Sequence, residues 1–302
     1  MWYHSAVSWK MVIALVKTMR PLQWSKNGFL LAALIFDRQL FAWPAVGRAM
    51  AAVLLFSLLS SAIYIYNDIR DIETDRNHPK KRLRPIAAGT LPVPAAYAAV
   101  GVLLVVVFPL AYWLSPYFFM CALIYLTMNL AYSVWLKHVP IIDILVLTSF
   151  YILRVGAGLA VIHVALISPW LFVFTTFLAL FLGTGKRRAE LALLAEQANS
   201  HRKVLEGYTL PLLDQWITIS STLTIMTYSL YTFFAPGMAQ NHWLMMTIPF
   251  VIYGVFRYMY LVQVEQRGGS PEEVLFSDRP LQAALVLWGI AILLVYYLFP
   301  NA

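Results

Sequence analysis

Residues 67–75 read Asn-Asp-Ile-Arg-Asp-Ile-Glu-Thr-Asp, directly after an apolar run over 46–66 that only Gly47 and Arg48 interrupt. Continued on a helix, Asp68, Asp71 and Asp75 recur at i, i+3 and i+7 and share one face. Like charges on one stripe repel, so packing supplies no reason for them. A divalent cation does: Mg²⁺ takes one or two carboxylates and leaves the rest of its octahedron to substrate phosphates and water. Asp68, Asp71 and Asp75 are therefore the expected metal ligands and catalytic acids, with Asn67 beside them as a substrate contact. A solvated helix cap with scattered acids is the plain alternative, and it leaves the register of the acids at a bilayer edge unexplained.

Further clusters carry the opposite charge. His78-Pro79-Lys80-Lys81-Arg82-Leu83-Arg84-Pro85 would alone serve as a basic membrane anchor. Beside a bound cation it suits a phosphorylated ligand, because arginine presents paired donors to phosphate oxygens. Arg82 and Arg84 are the expected contacts. Asp143 and Arg154 stand eleven residues apart in one apolar segment, about 16 Å along a helix, too far to pair directly. Both are expected to face one polar cavity with Tyr132 and Lys137 at its rim, since an arginine at that depth is costly unless paired or wet. Gly183-Thr184-Gly185-Lys186-Arg187-Arg188-Ala189-Glu190 lacks Walker spacing and context, so it is not a phosphate loop. Its cations either complement a helix C-terminus or, as Lys186, Arg187 and Arg188, bind substrate. Arg20-Pro21-Leu22-Gln23-Trp24-Ser25-Lys26-Asn27 adds Lys26 and Asn27 as ligand donors, with Trp24 an interfacial aromatic. Ser270-Pro271-Glu272-Glu273 through Asp278-Arg279-Pro280 is a lid or a turn.

The elements that position these residues are membrane spans. The chain is 61% hydrophobic and 12% charged, half the charge of an ordinary soluble domain. Nine apolar stretches near the length of a span are predicted, at about 27–42, 46–66, 93–114, 117–135, 141–162, 168–185, 213–235, 242–263 and 281–299. Residues 8–20 are predicted to form an amphipathic surface helix in place of a cleavable signal. Most of the 22 basic residues then fall on the side shared by the N-terminus and the even-to-odd loops, which the positive-inside rule makes cytoplasmic. Arg38 and Arg48 fall on the other side, and Arg154 and Arg257 fall within spans. The lone Cys121 says nothing of redox compartment.

Nine helices with Asn-Asp-x-x-Asp-x-x-x-Asp after the second resemble the UbiA superfamily of intramembrane prenyltransferases, over about residues 17–300. The Arg-Pro-x-Gln-Trp-x-Lys-Asn opening, Tyr132…Leu136-Lys137-His138…Asp143, Leu153-Arg154…Gly156…Gly158, Ser168-Pro169-Trp170 and Gly185-Lys186-Arg187-Arg188-Ala189-Glu190 are most similar to its polyprenyl-phosphate phosphoribosyltransferase branch. The resemblance implies an all-α, polytopic UbiA-like bundle with a cytoplasm-facing polar cavity. Residues 1–19 would be a cytoplasmic or interfacial segment and 20–300 the transmembrane catalytic domain. It further implies Mg²⁺-dependent transfer of 5-phosphoribose from phosphoribosyl diphosphate (PRPP) to a decaprenyl-like polyprenyl phosphate at the plasma membrane. No nucleic-acid partner is expected, and a homo-oligomer stays open.

One departure bears on the reaction. Aromatic prenyltransferases of the superfamily carry a second D-x-x-x-D motif, whereas here Asp143 is followed four residues later by Leu147. That weakens the alternative, transfer of an isoprenyl group to an aromatic acceptor such as 4-hydroxybenzoate. The cations also suit a donor and acceptor that together bring a diphosphate, a 5-phosphate and a lipid phosphate. A transporter would be expected to show internal repeats or broken helices at matching positions, and neither is evident.

Overall fold

The computed structural model describes residues 2–78, 81–164, 168–196, 203–234, 242–267 and 271–298. Among the described residues, twelve α-helices and several 3₁₀ segments make up the regular structure, and the chain divides into two compact units. One unit comprises residues 1–134 and 153–163, the other residues 135–152 and 164–302.

The first unit contains α1 (Trp2–Met19), α2 (Ala32–Phe36), α3 (Trp43–Arg70), α4 (Ile72–Arg76), α5 (Val93–Leu114), α6 (Pro116–Val134) and the end of α7 (Ile142–Leu159). Prolines open several of the helices, as at Pro44, Pro94 and Pro116, where the missing N–H would have had no intrahelical partner. The centre of the unit is α3, which packs against α1, α5, α6 and a 3₁₀ stretch over Pro21–Leu31. Small buried residues (Ala49, Ala52, Ser57, Ser60, Ser61, Ala62) let neighbours approach its backbone closely. The serines stay satisfied by turning back on the helix: Ser60 and Ser61 donate to the carbonyls of Phe56 and Ser57 at 2.8 Å. In contrast, α5 exposes Val102, Val105 and Trp113, as a lipid-facing helix does.

The second unit holds the start of α7, α8 (Pro169–Glu196), α9 (Leu210–Phe234), α10 (Ile248–Gln263), α11 (Pro271–Ser277) and α12 (Arg279–Leu298). Phe181, Ile217, Val255, Tyr258, Leu261, Val274 and Leu281 form one shared core between α8, α9, α10, α11 and α12.

Among the described residues, seven segments are long and apolar enough to cross a bilayer: α3, α5, α6, α7, most of α8, Trp243–Gln263 and α12. Two of the nine predicted spans differ. The first, at 27–42, is no continuous helix: the 3₁₀ stretch passes into one short helix, and the chain turns at Asp37 and Arg38, the latter at φ 59°. The polar side chains there find partners outside helices, Gln39 donating to the His163 carbonyl beyond α7 at 2.6 Å and to Asp37 within the turn. The other, at 213–235, does form α9, but Asp214 and a run of hydroxyls make it too polar to count by composition.

Candidate active site

In the first unit, α3 ends because Asp71 takes φ −93°, ψ 10°, and α4 restarts at Ile72. That bridge-region residue distorts the helix locally, although the Asp71 N–H still donates to the Asn67 carbonyl at 2.9 Å and the Asp75 N–H to the Asp71 carbonyl at 2.7 Å. Asp68 and Asp75 turn inward, with side chains 3% and 2% exposed. Arg84 joins them, its Nη1 donating to Asp68 Oδ1 at 3.1 Å and to Asp75 Oδ2 at 2.7 Å. Arg20 Nη2 donates to the same Asp68 oxygen at 2.5 Å, and its guanidinium lies 5.2 Å from the Tyr64 ring centroid. Two nearly buried carboxylates are thus held by two guanidiniums, the pairing that buried charge requires.

Asp71 stands half-buried at the joint. Among the described residues of the ligand-free protein no three His, Cys, Asp or Glu side chains converge as a metal cage. Two carboxylates converging on one cationic nitrogen remain. This oxygen-only pair fits Mg²⁺, which needs few protein carboxylates and keeps positions for phosphates and water.

Nearby, Asn67 accepts a 2.6 Å hydrogen bond from Ser133, Tyr132 is half-buried on α6, and Arg82 is exposed. Lys26 donates to Gln23 at 2.7 Å. Asn27 is fully buried and acts as a connector: its Nδ2 donates to Ser57 at 2.9 Å while its Oδ1 accepts from Arg154 Nε at 2.9 Å. Arg154 Nη2 donates to the Tyr125 hydroxyl at 2.8 Å, and the guanidinium lies over the Phe56 and Tyr125 rings. Ser57 precedes Asp68 by eleven residues on α3, so this network lies about 16 Å along the helix from the acidic end. Trp24, read from sequence as an interfacial aromatic, hydrogen-bonds Ser61 at 3.0 Å.

The second unit holds a separate buried cluster. Asp143, at the start of α7 and 0% exposed, accepts from Arg187 Nε and from the Tyr208 hydroxyl, both at 2.6 Å. Arg187 Nη1 donates to Glu190 at 2.5 Å. Burial and the Asp143 bond push the Tyr208 phenol up, which keeps it a proton donor. Successive helical residues point about 100° apart, so the Lys186-Arg187-Arg188 triplet disperses. Arg187 is inward, Arg188 reaches Asp214 at 3.1 Å and the Val262 carbonyl at 3.0 Å, and Lys186 is half-buried. Lys137 is half-buried on the 3₁₀ turn Leu136–His138.

Asp143 belongs to the second unit and Arg154 to the first, so each is described with its own partners. Both side chains are sequestered, but by Arg187 and Tyr208 in one case and by Asn27 and Tyr125 in the other. Sequence reasoning did not select Arg20 or Tyr208. Arg20 stood inside a motif already singled out, whereas nothing in the pattern marks Tyr208. Pro79, Lys80 and Ser270, parts of the charged segments read from sequence, lie outside the described residues.

The apolar helices, with a buried charged cluster at the end of α3, define a multi-pass helical membrane protein. The model of the UbiA prenyltransferase family matches residues 28–277, and the chain belongs to that family. It is 37% identical over 287 residues to a decaprenyl-phosphate phosphoribosyltransferase of Mycobacterium tuberculosis (strain CDC 1551 / Oshkosh), covering 92% of each chain. Its likeness to the enzyme of the same name from Corynebacterium glutamicum is 35% over 301 residues, 95% of this chain and 87% of that one. A UbiA homolog from Archaeoglobus fulgidus, solved bound to GPP and Mg²⁺, superposes with a TM-score of 0.70 at 18% identity. That match covers 92% of this chain and 99% of the other.

Proposed function

We propose that this protein transfers 5-phosphoribose from PRPP to a polyprenyl phosphate, giving polyprenyl-phosphoryl-5-phosphoribose and diphosphate, at the cytoplasmic face of the plasma membrane. The observation that carries the reading is the 35–37% identity, over more than nine-tenths of this chain, to relatives named for that activity.

Asp68 and Asp75, with Asp71 at the joint between them, would hold Mg²⁺, which when bound neutralises charge on the diphosphate leaving group. Arg84 and Arg20 neutralise the two carboxylates in the ligand-free protein. On donor binding, their paired donors are assigned to diphosphate oxygens. Arg82 is assigned to the same group from the exposed turn. Lys26, Lys137 and Lys186 are assigned to the remaining phosphates, and Asn67 and Tyr132 to donor hydroxyls. The lipid phosphate oxygen attacks ribose C1 as the bond from C1 to the diphosphate oxygen breaks, and diphosphate departs with the electron pair. Because that nucleophile is already ionised, no residue need act as general base. The chain's contribution is position and charge stabilisation.

Arg187 and Asn27, read from sequence as substrate contacts, are assigned supporting roles because buried side chains already engage them. Arg154 likewise supports the interior polar network.

Purified protein supplied with Mg²⁺, polyprenyl phosphate and radiolabelled PRPP should move label into the organic phase, and EDTA should stop it. The family's name and the GPP-bound neighbour favour a second reading, isoprenyl transfer to an aromatic acceptor. Prenylation of 4-hydroxybenzoate with PRPP inert would establish that reading and overturn the first.

A further inference from the structure

The turn between Leu136 and Asp143 is held more firmly than a connection between helices requires. Ile141 sits at φ 70°, left-handed backbone that a β-branched residue occupies only under constraint. Its side chain is 51% exposed, so apolar burial does not fix it there. The constraint comes from Tyr208. The Ile141 N–H donates to the Tyr208 oxygen at 2.6 Å, and the same hydroxyl donates to Asp143 Oδ1 at 2.6 Å. Asp143 is locked in turn by Arg187 of α8 at 2.6 Å. Beside Tyr208, a Cβ added to Gly207 would lie 2.5 Å from Pro140 Cγ, so the 203–208 segment is seated directly on the Pro140–Ile141 turn.

One buried hydroxyl thus satisfies a strained amide and a buried carboxylate at once. Left-handed backbone of this kind persists only where its surroundings over-determine it, and it concentrates at functional sites. Just before the strained residue come Lys137 and His138.

We propose that Tyr208 is a positioning residue: through Ile141 and Asp143 it fixes the turn bearing Lys137 against α8, so that Lys137 meets a donor phosphate at a set distance. This rests on the assignment of Lys137 to a PRPP phosphate made above.

The test compares Tyr208→Phe, Lys137→Ala and the double variant, with PRPP varied at saturating lipid phosphate and melting temperature recorded. Lys137→Ala should raise KM for PRPP about ten-fold, the worth of a charge-assisted phosphate contact. Tyr208→Phe should raise it several-fold with kcat little changed. The double variant should be no worse than Lys137→Ala, because groups acting through one another do not add. Ile141→Gly keeps every hydrogen-bonding group but frees the backbone. It should raise KM for PRPP without lowering the melting temperature, and it serves if Tyr208→Phe misfolds. An affected Lys137→Ala with an unaffected Tyr208→Phe, fully multiplicative effects, or Ile141→Gly with unchanged KM would overturn this inference alone. An unaffected Lys137→Ala would remove the lysine from the phosphate site and the inference with it, leaving transfer from PRPP itself to the label assay.

Discussion

At the scale of single residues, sequence reveals which side chains do chemistry better than it reveals what they touch. Asp68 and Asp75 were legible because no packing argument accounts for acids in register at the end of an apolar run. That Arg84, already singled out nearby, bridges them was not, because sequence does not reveal how the intervening turn folds back, and Arg20 shares Asp68 from 48 residues away. Asp75→Asn keeps the shape and removes one anionic ligand, so transfer should fall below detection while the protein elutes as a folded species in detergent. A variant retaining near-native turnover would show that the carboxylate holds no essential cation. Arg154 teaches the converse. A deep arginine replaced by an apolar group escapes a desolvation cost, which by itself would favour Arg154→Leu. The structure reverses that expectation, because the arginine engages Asn27 Oδ1 and the Tyr125 hydroxyl. Each buried group that loses its partner costs about 1–3 kcal/mol. Thermal melting of Arg154→Leu should therefore occur at a lower temperature than wild type, and an unchanged or raised midpoint would exclude this supporting role.

At the scale of elements, hydropathy located the helices, the hydroxyl-rich α9 among them, and differed from the structure at 27–42. The stretch at 27–42 has the composition of a span, yet its residues are divided between the 3₁₀ segment carrying Asn27 and the turn at Asp37. What shapes that segment is the helix it meets. A Cβ on Gly158 of α7 would lie 2.1 Å from the Leu30 carbonyl oxygen, and backbone cannot swing aside as a side chain can. Gly158→Ala should thus separate α7 from the 3₁₀ segment and cost about 1–3 kcal/mol, as overpacking does, and it should pull Asn27 from Arg154. Gly156→Ala, two residues away with nothing within 4 Å of the added carbon, is the matched control and should melt close to wild type. Equal effects from both substitutions would mean that close approach to Leu30 does not set the requirement. The sequence showed both glycines and gave no means of telling them apart, because the difference lies in a neighbour about 130 residues away.

At the scale of the whole molecule, the clearest signal in the sequence was the uneven distribution of charge, and the first unit gives it a length. Arg48 and Asp68 lie twenty residues apart on α3, about 30 Å, which is the thickness of the hydrocarbon core. Arg48 caps helix ends, donating to the carbonyls of Val161 at 2.5 Å and Leu114 at 2.6 Å, so it marks one polar boundary. The acidic cluster and the Arg82–Arg84 turn mark the other. The positive-inside rule would place the basic Arg82–Arg84 turn beside that cluster in the cytoplasm, and the proposed reaction requires that side, where a soluble sugar phosphate donor is available. Replacing Cys121 by alanine leaves the chain free of cysteine, and single cysteines can then be introduced at exposed positions beyond the two ends of α3. A membrane-impermeant thiol reagent should label Lys81→Cys in inverted vesicles but not in intact cells. It should label Phe41→Cys, whose side chain is 70% exposed, from the opposite side. Labelling of both from one side would deny that α3 spans the bilayer. The reversed pattern would keep the span but turn the acidic cluster away from the cytoplasmic donor, and the proposed reaction could not proceed in that orientation.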